Sequence, residues 1–195
     1  MTESQLSSDV KKLAESLGPL PEPVVHPPLI VIAGLPGTGK SYFSRRLAER
    51  LSLVTLESDI LRRVLFSQPT YTAPESARLF QTTHRLIEEL LKKGIPVLLD
   101  ATNLSEHFRE YLYRIADRTG ARLILVRMKA PPEVVKERLE ARVTGKRDTS
   151  DADWSVYQRM KGEVEEIRRR HYVVNTSKDI TPVLDKIIRE AERSQ

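Results

Sequence analysis

The chain has no cysteine among its 195 residues, which excludes disulfides, thiolate metal sites and a cysteine nucleophile. Long apolar runs are also missing. Leu29 to Ala33 and Pro96 to Leu99 are typical, far below the roughly 20 residues that cross a bilayer, so no membrane segment is expected. Residues 1–13 are polar and lack the basic-then-apolar pattern of a secretory signal, which makes the cytoplasm the expected location. The four histidines, His26, His84, His107 and His171, lack metal-ligand spacing, and no zinc site is expected. There are no internal repeats and no low-complexity tracts. Nor is there a large excess of one charge: 32 Lys plus Arg against 27 Asp plus Glu leave +5. Such a surface suits an anionic ligand without demonstrating nucleic-acid binding.

What is present is an alternation. Short runs rich in Leu, Ile and Val, at 29–33, 54–57, 96–100, 122–128 and 172–175, are separated by segments of helical periodicity. That pattern predicts an α/β fold: three α/β/α layers around a five-stranded parallel sheet. Helices are expected at about 40–51, just after Asp59, at 74–93, 105–119, 131–141, 153–169 and 182–192. Residues 1–28 read as an N-terminal extension with a short helix near 8–17. Its prolines, Pro21, Pro23, Pro27 and Pro28, lead extended into the first strand. Residues 29–195 read as one domain.

Between the first strand and its helix lies Gly34-Leu35-Pro36-Gly37-Thr38-Gly39-Lys40-Ser41. Converging backbone N–H groups at such a turn cradle a phosphate, and the following helix aims its positive end at the same anion. The pattern predicts ATP binding, with Lys40 on the β- and γ-phosphates and Ser41 on a nucleotide-borne Mg²⁺. Tyr42, in the first helical turn, joins the candidate nucleotide-binding residues Gly34 to Ser41. Asp100, closing the third strand, reaches the sheet edge where ligands of such folds sit, and is a second candidate on the metal side. Ser58-Asp59-Ile60-Leu61-Arg62 follows the second strand at that edge. Asp59 is the candidate base for an acceptor hydroxyl, and Arg62, three residues along the helix, is placed for an acceptor phosphate or the transferring group. The lesser alternative is that Ser58 or Asp59 merely caps that helix.

Taken together, Gly34 to Ser41, Asp59 with Arg62, Asp100 through Thr102-Asn103-Leu104, and the arginines near Arg138 and Arg142 resemble the P-loop kinase group. It includes 5′-hydroxyl polynucleotide kinases, zeta toxins and chloramphenicol phosphotransferase-like proteins. The likeness runs from Leu29 to about Asn175, and departs where Ala101 stands between Asp100 and Thr102. It implies a general base at Asp59, an acceptor-phosphate contact at Arg62, and a mobile helical lid over about 138–152 bearing Arg138 and Arg142. It also implies an adenine approach near Asn175 and Ser177. Trp154 and Tyr157 read as packing residues, and Arg168-Arg169-Arg170 as a solvated helix end. The expected activity is ATP- and Mg²⁺-dependent transfer of the γ-phosphate to a free hydroxyl, on a nucleic-acid 5′ end or a small-molecule alcohol. The alternative is a nucleotide-binding switch or ATPase module without an acceptor. No Asn-Lys-x-Asp guanine motif is present to favour a GTPase.

Overall fold

The computed structural model describes residues 1–144 and 152–193. In chain order these form α1 (Glu3–Glu15), β1 (Pro28–Ala33), α2 (Lys40–Ala48), β2 (Val54–Glu57), α3 (Ser58–Leu65), α4 (Ala73–Lys92) and β3 (Val97–Asp100). There follow α5 (Glu106–Thr119), β4 (Arg122–Lys129), α6 (Pro132–Thr144), α7 (Trp154–Lys161), β5 (Tyr172–Asn175) and α8 (Thr181–Glu192). The five strands are all parallel, in the order β2-β3-β1-β4-β5. β1 is central and buried along its whole length, as its unbroken apolar run requires when helices cover both faces of a sheet. One face carries α3, α4 and α5 over Leu29, Val31, Leu99 and Leu125. The other carries α2 and α8 over Ile30, Ile32, Leu98 and Val126. A third cluster, Val135, Leu139 and Tyr157 with Leu35 and Trp154, joins α6 and α7 to the loop after β1. No helix among the described residues is long and apolar enough to cross a membrane.

Two elements depart from the sequence reading. The first helix starts at residue 3 rather than 8, because the Thr2 hydroxyl accepts the Gln5 N–H at 3.2 Å and caps it. Val10 and Leu13 sink into the core, while Asp9 accepts two hydrogen bonds from the Arg78 guanidinium at 2.6 and 2.8 Å. Residues 3–15 are thereby docked on α4.

The expected helix over 153–169 stops at Lys161. It begins on Asp153, whose carboxylate accepts the Val156 N–H at 2.9 Å. Beyond Gly162 the carbonyls of Glu165 and Glu166 accept hydrogen bonds from Arg109 Nη2 at 3.0 and 2.8 Å. Arg109 Nη1 serves the carbonyls of Asn103 and Leu104, both at 2.6 Å, and Nε pairs with Glu106 at 2.8 Å. A guanidinium only 1% exposed therefore takes carbonyls that a continuing helix would have used internally. Arg169 is no helix end: it pairs with Asp117 at 3.1 Å and lies over the Tyr113 ring.

Removing this staple strands buried carbonyls. Arg109→Met is expected to destabilise the fold by about 3 kcal/mol or more, read as a lowered midpoint in urea. An unchanged midpoint would show that the 103–104 and 165–166 segments are held by other contacts.

Candidate active site

The glycine loop occupies its expected place between β1 and α2. Gly34 N–H donates to the Thr102 carbonyl at 2.9 Å, which ties the loop to the segment after β3. Gly37 has φ 76° and lies so close to α6 that a Cβ there would come within 2.7 Å of Val135 Cγ1. Both its conformation and its neighbour thus demand glycine. Lys40 Nζ donates to the Leu35 carbonyl at 3.1 Å, and that oxygen also accepts the Thr38 hydroxyl at 2.7 Å.

A cleft of about 1050 Å³ opens beside the loop, at the upper end of the range for small-ligand sites. Lys40, Ser41, Asp59, Arg62 and Asp100 all line it, with Pro36 and Gly37. Asp100 stands opposite Ile32 on β1 and Glu57 on β2 in the parallel register, so two strand ends bring two carboxylates together. Asp100 is 4% exposed and accepts the Ser44 hydroxyl at 3.0 Å. Ser44 lies three residues beyond Ser41 in α2, on the face turned toward β3, and was not singled out by the sequence reading.

Asp59 sits half-buried in the first turn of α3. The cap position falls on Glu57 and carries no side-chain capping bond, so neither Ser58 nor Asp59 serves as the cap. Arg62 is buried and already paired. Its guanidinium bonds to Glu75, donates to the Ser76 hydroxyl at 3.2 Å and lies 4.8 Å from the Tyr71 ring centroid. Glu75 also accepts the Thr70 N–H at 2.7 Å, the Thr70 hydroxyl at 2.8 Å and the Tyr71 N–H at 3.2 Å. Burial pushes its carboxyl up, but these donors and Arg62 outweigh burial and hold it at about 2, below the ordinary 4.5. A carboxylate depressed in the folded state stabilises fully above its unfolded pKa and loses that contribution as pH falls toward the folded value. Glu75→Gln is therefore expected to lower stability at neutral pH and to flatten the loss between about pH 5 and about pH 2, followed by urea midpoints across that window. An acid limb as steep as that of the unsubstituted protein would assign the acid sensitivity elsewhere.

The remaining candidates separate. Arg138 does not reach into the cleft. Its guanidinium donates to the Thr176 hydroxyl at 2.7 Å, the Thr176 carbonyl at 2.9 Å and the Gly37 carbonyl at 3.4 Å. Thr176 in turn donates to the Thr38 carbonyl at 3.0 Å. Arg138 and Thr176 thus brace the phosphate loop from behind. Of the Asn175-Thr176-Ser177 run, the unselected middle residue touches the loop, while Asn175 accepts the Ser177 N–H and hydroxyl in a local turn. Tyr42 is exposed and is not among the cleft-lining residues. The Arg142 side chain, Lys146, Arg147 and the rest of the expected lid to Asp151 lie outside the described residues. α7 supplies an arginine that the sequence reading passed over: Arg159 lines the cleft, one turn before the Gly162 break. Trp154 and Tyr157 stack at 4.8 Å on the same helix, as packing residues.

A phosphate-cradling loop at the end of the central strand of an all-parallel sheet, with carboxylates on the adjoining strand ends, defines a P-loop NTPase with a kinase-like fold. A family model described as AAA domain matches residues 29–167, and the chain belongs to that family. It is similar to an uncharacterized protein of Mycobacterium tuberculosis, 27% identical over 154 residues, covering 68% of this chain and 31% of the relative. It is also similar to the L-seryl-tRNA(Sec) kinase of Methanococcus maripaludis, 29% identical over 112 residues, covering 56% of this chain and 44% of that one. The chain thus spans about a third to under half the length of these relatives. Among solved structures, the APS kinase of Mycobacterium tuberculosis in complex with AMPPNP and APS shares the fold. Its TM-score is 0.61 at 19% identity, covering 88% of this chain and 99% of that one.

Proposed function

We propose that this protein is an ATP- and Mg²⁺-dependent kinase that moves the γ-phosphate to an acceptor hydroxyl. The observation that carries this reading is the single cleft lined at once by Lys40 and Ser41 of the glycine loop and by Asp59 and Asp100. A switch or bare ATPase has no need of a carboxylate on an open acceptor side.

The roles follow from placement. The loop N–H groups and the α2 N-terminus bind the nucleotide phosphates, and Lys40 offsets charge on the transferring group. The Ser41 hydroxyl and the Asp100 carboxylate are hard oxygen donors that suit Mg²⁺, with Ser44 orienting Asp100. When bound, that ion neutralises charge on the β- and γ-phosphates. Asp59 takes the acceptor proton as the acceptor oxygen bonds to the γ-phosphorus; the bond from that phosphorus to the β–γ bridging oxygen breaks, and ADP leaves. Arg159 and Arg142 are the candidates for the arginine that meets the equatorial oxygens. Arg62, held by Glu75, orients the acceptor side, and Arg138 keeps the loop in shape. Asn175, Thr176 and Ser177 flank the adenine side.

The test is transfer of label from γ-labelled ATP to a panel of 5′-hydroxyl DNA and RNA, nucleosides, sugars and aminoglycosides. Label on one acceptor class supports the reading. Release of free phosphate with no labelled acceptor points to the ATPase alternative.

A further inference from the structure

At the edge of the sheet opposite the cleft, a depression of about 350 Å³ lies between α8 and the first residues of β4 and β5. Arg122, Arg170, Lys186, Arg189 and Arg193 line it, with Tyr172 and a single carboxylate, Glu190. In the parallel register Arg122 stands opposite Pro28, where β1 begins, whereas the glycine loop follows Ala33, where β1 ends. About 17 Å of strand therefore separates this depression from the phosphate-binding edge, and the two share no lining residue.

Three separate elements build the convergence. On α8, Lys186, Arg189 and, at the cap, Arg193 recur at three- and four-residue spacing and share one face, turned away from the buried Leu184, Ile187, Ile188 and Ala191. Arg170 enters just before β5 and Arg122 at the start of β4. Elsewhere on the surface Arg46, Arg50, Arg85, Arg118 and Arg169 each hold a carboxylate. None of the five cations here is ion-paired among the described residues. Five cations against one carboxylate leave a net +4 in this one place, where the whole chain carries +5. Glu190 accepts the Tyr172 hydroxyl, and that contact together with burial pushes the phenol up, so the ring adds no negative charge. Cations at a helix end offset its dipole, which accounts for Arg189 and Arg193 but not for Lys186 in mid-helix or Arg170 ahead of a strand. Crowded like charges destabilise the protein, and a bound anion relieves that repulsion.

Guanidinium groups hold phosphate oxygens through paired parallel hydrogen bonds. Five cations around so small a volume suit phosphate groups set close together on one molecule. A nucleic-acid strand calls for a longer basic track and, when single-stranded, for rings on which bases stack. Tyr172 is the one ring among the described lining residues, and its hydroxyl is turned to Glu190. We propose that this depression is a second anion site, which binds a small ligand carrying two or more clustered phosphate groups. It stands apart from the glycine loop and holds whether or not the protein transfers phosphate.

The test is a Mg²⁺-free titration of the full chain with tripolyphosphate, followed by backbone amide shifts so that the two anion sites read out separately. Residues 170–172 and 186–193 are expected to shift in one saturable process, distinct from that of residues 34–41. Lys186→Gln with Arg189→Gln should weaken the first process about ten-fold or more, leave the second unchanged and not lower the melting temperature. Lys40→Met should weaken only the second. Lys11→Gln with Lys12→Gln, which removes the same charge from α1, should alter neither. The inference is overturned if residues 170–172 and 186–193 do not shift, or if the α8 pair of substitutions leaves their process unchanged. It is equally overturned if orthophosphate, hexaglutamate, a 5′-hydroxyl oligonucleotide or vesicles of a bisphosphorylated inositol lipid engage these residues as tightly as tripolyphosphate does. Those results would assign the patch to a single anion, an acidic protein segment, a nucleic acid or a membrane surface respectively.

Discussion

In the Lys40→Met protein, phosphate transfer from ATP is expected to fall by about 10²- to 10³-fold, the scale of losing one preorganised charge at a developing oxyanion, while the melting temperature stays within a few degrees. The two halves of that expectation have separate causes. The ammonium is the one cation among the glycine-loop residues 34–41, and it lines the cleft shared with Asp59 and Asp100. Methionine keeps an unbranched stem of similar length but removes the charge. The fold should tolerate this, because the Leu35 carbonyl that accepts Lys40 Nζ keeps the Thr38 hydroxyl at 2.7 Å and loses no essential partner. The measurement pairs a thermal melt with label transfer to whichever acceptor the panel identifies. A rate close to that of the unsubstituted protein would remove the loop from the donor site.

The parts of this molecule that were legible in the sequence are those whose meaning is local. Gly34 to Ser41 must form a tight turn between a buried strand and a helix whatever surrounds it, and Asp100 follows from an apolar run ending in a carboxylate. The five strands and their parallel order class follow from runs such as Leu29 to Ala33 that admit no exposed face. The residues that escaped notice take their role from partners distant in the chain. Ser44 matters because α2 lies against the end of β3, and Thr176 because the loop after β5 reaches the Thr38 carbonyl, 138 positions away. Arg109 could be read only as a surface arginine on an amphipathic helix until its carbonyl partners at 165 and 166 were placed. That same contact is why the helix expected to reach Arg169 ends at Lys161: periodicity cannot register a competitor for backbone carbonyls. Arg62 shows a third situation. Its position was foreseen, but its pairing with Glu75 shifts it from a free phosphate ligand toward an organiser of the Thr70–Tyr71 turn.

The Asp59→Asn substitution separates a kinase from every acceptor-free reading of the same fold. Asparagine is nearly isosteric, and the N-cap position of α3 falls on Glu57 rather than on residue 59, so the first turn of α3 should persist. What disappears is a group able to take the acceptor proton, an effect worth about 10²- to 10⁴-fold in rate. ATP affinity should hold within about two-fold, because the proposed phosphate contacts, the loop N–H groups and Lys40, belong to another element. The acceptor KM should change far less than kcat, since proton removal belongs to the transition state rather than to ground-state binding. A nucleotide switch or simple ATPase, whose attacking water is positioned at the loop, would hydrolyse ATP at nearly the same rate with or without this carboxylate. Joint measurement of ATP binding, acceptor-dependent transfer and acceptor-independent hydrolysis therefore gives different patterns for the two readings. Transfer lost with binding kept assigns the proton to Asp59; transfer kept moves the base to Glu57, the neighbouring carboxylate of the same cleft.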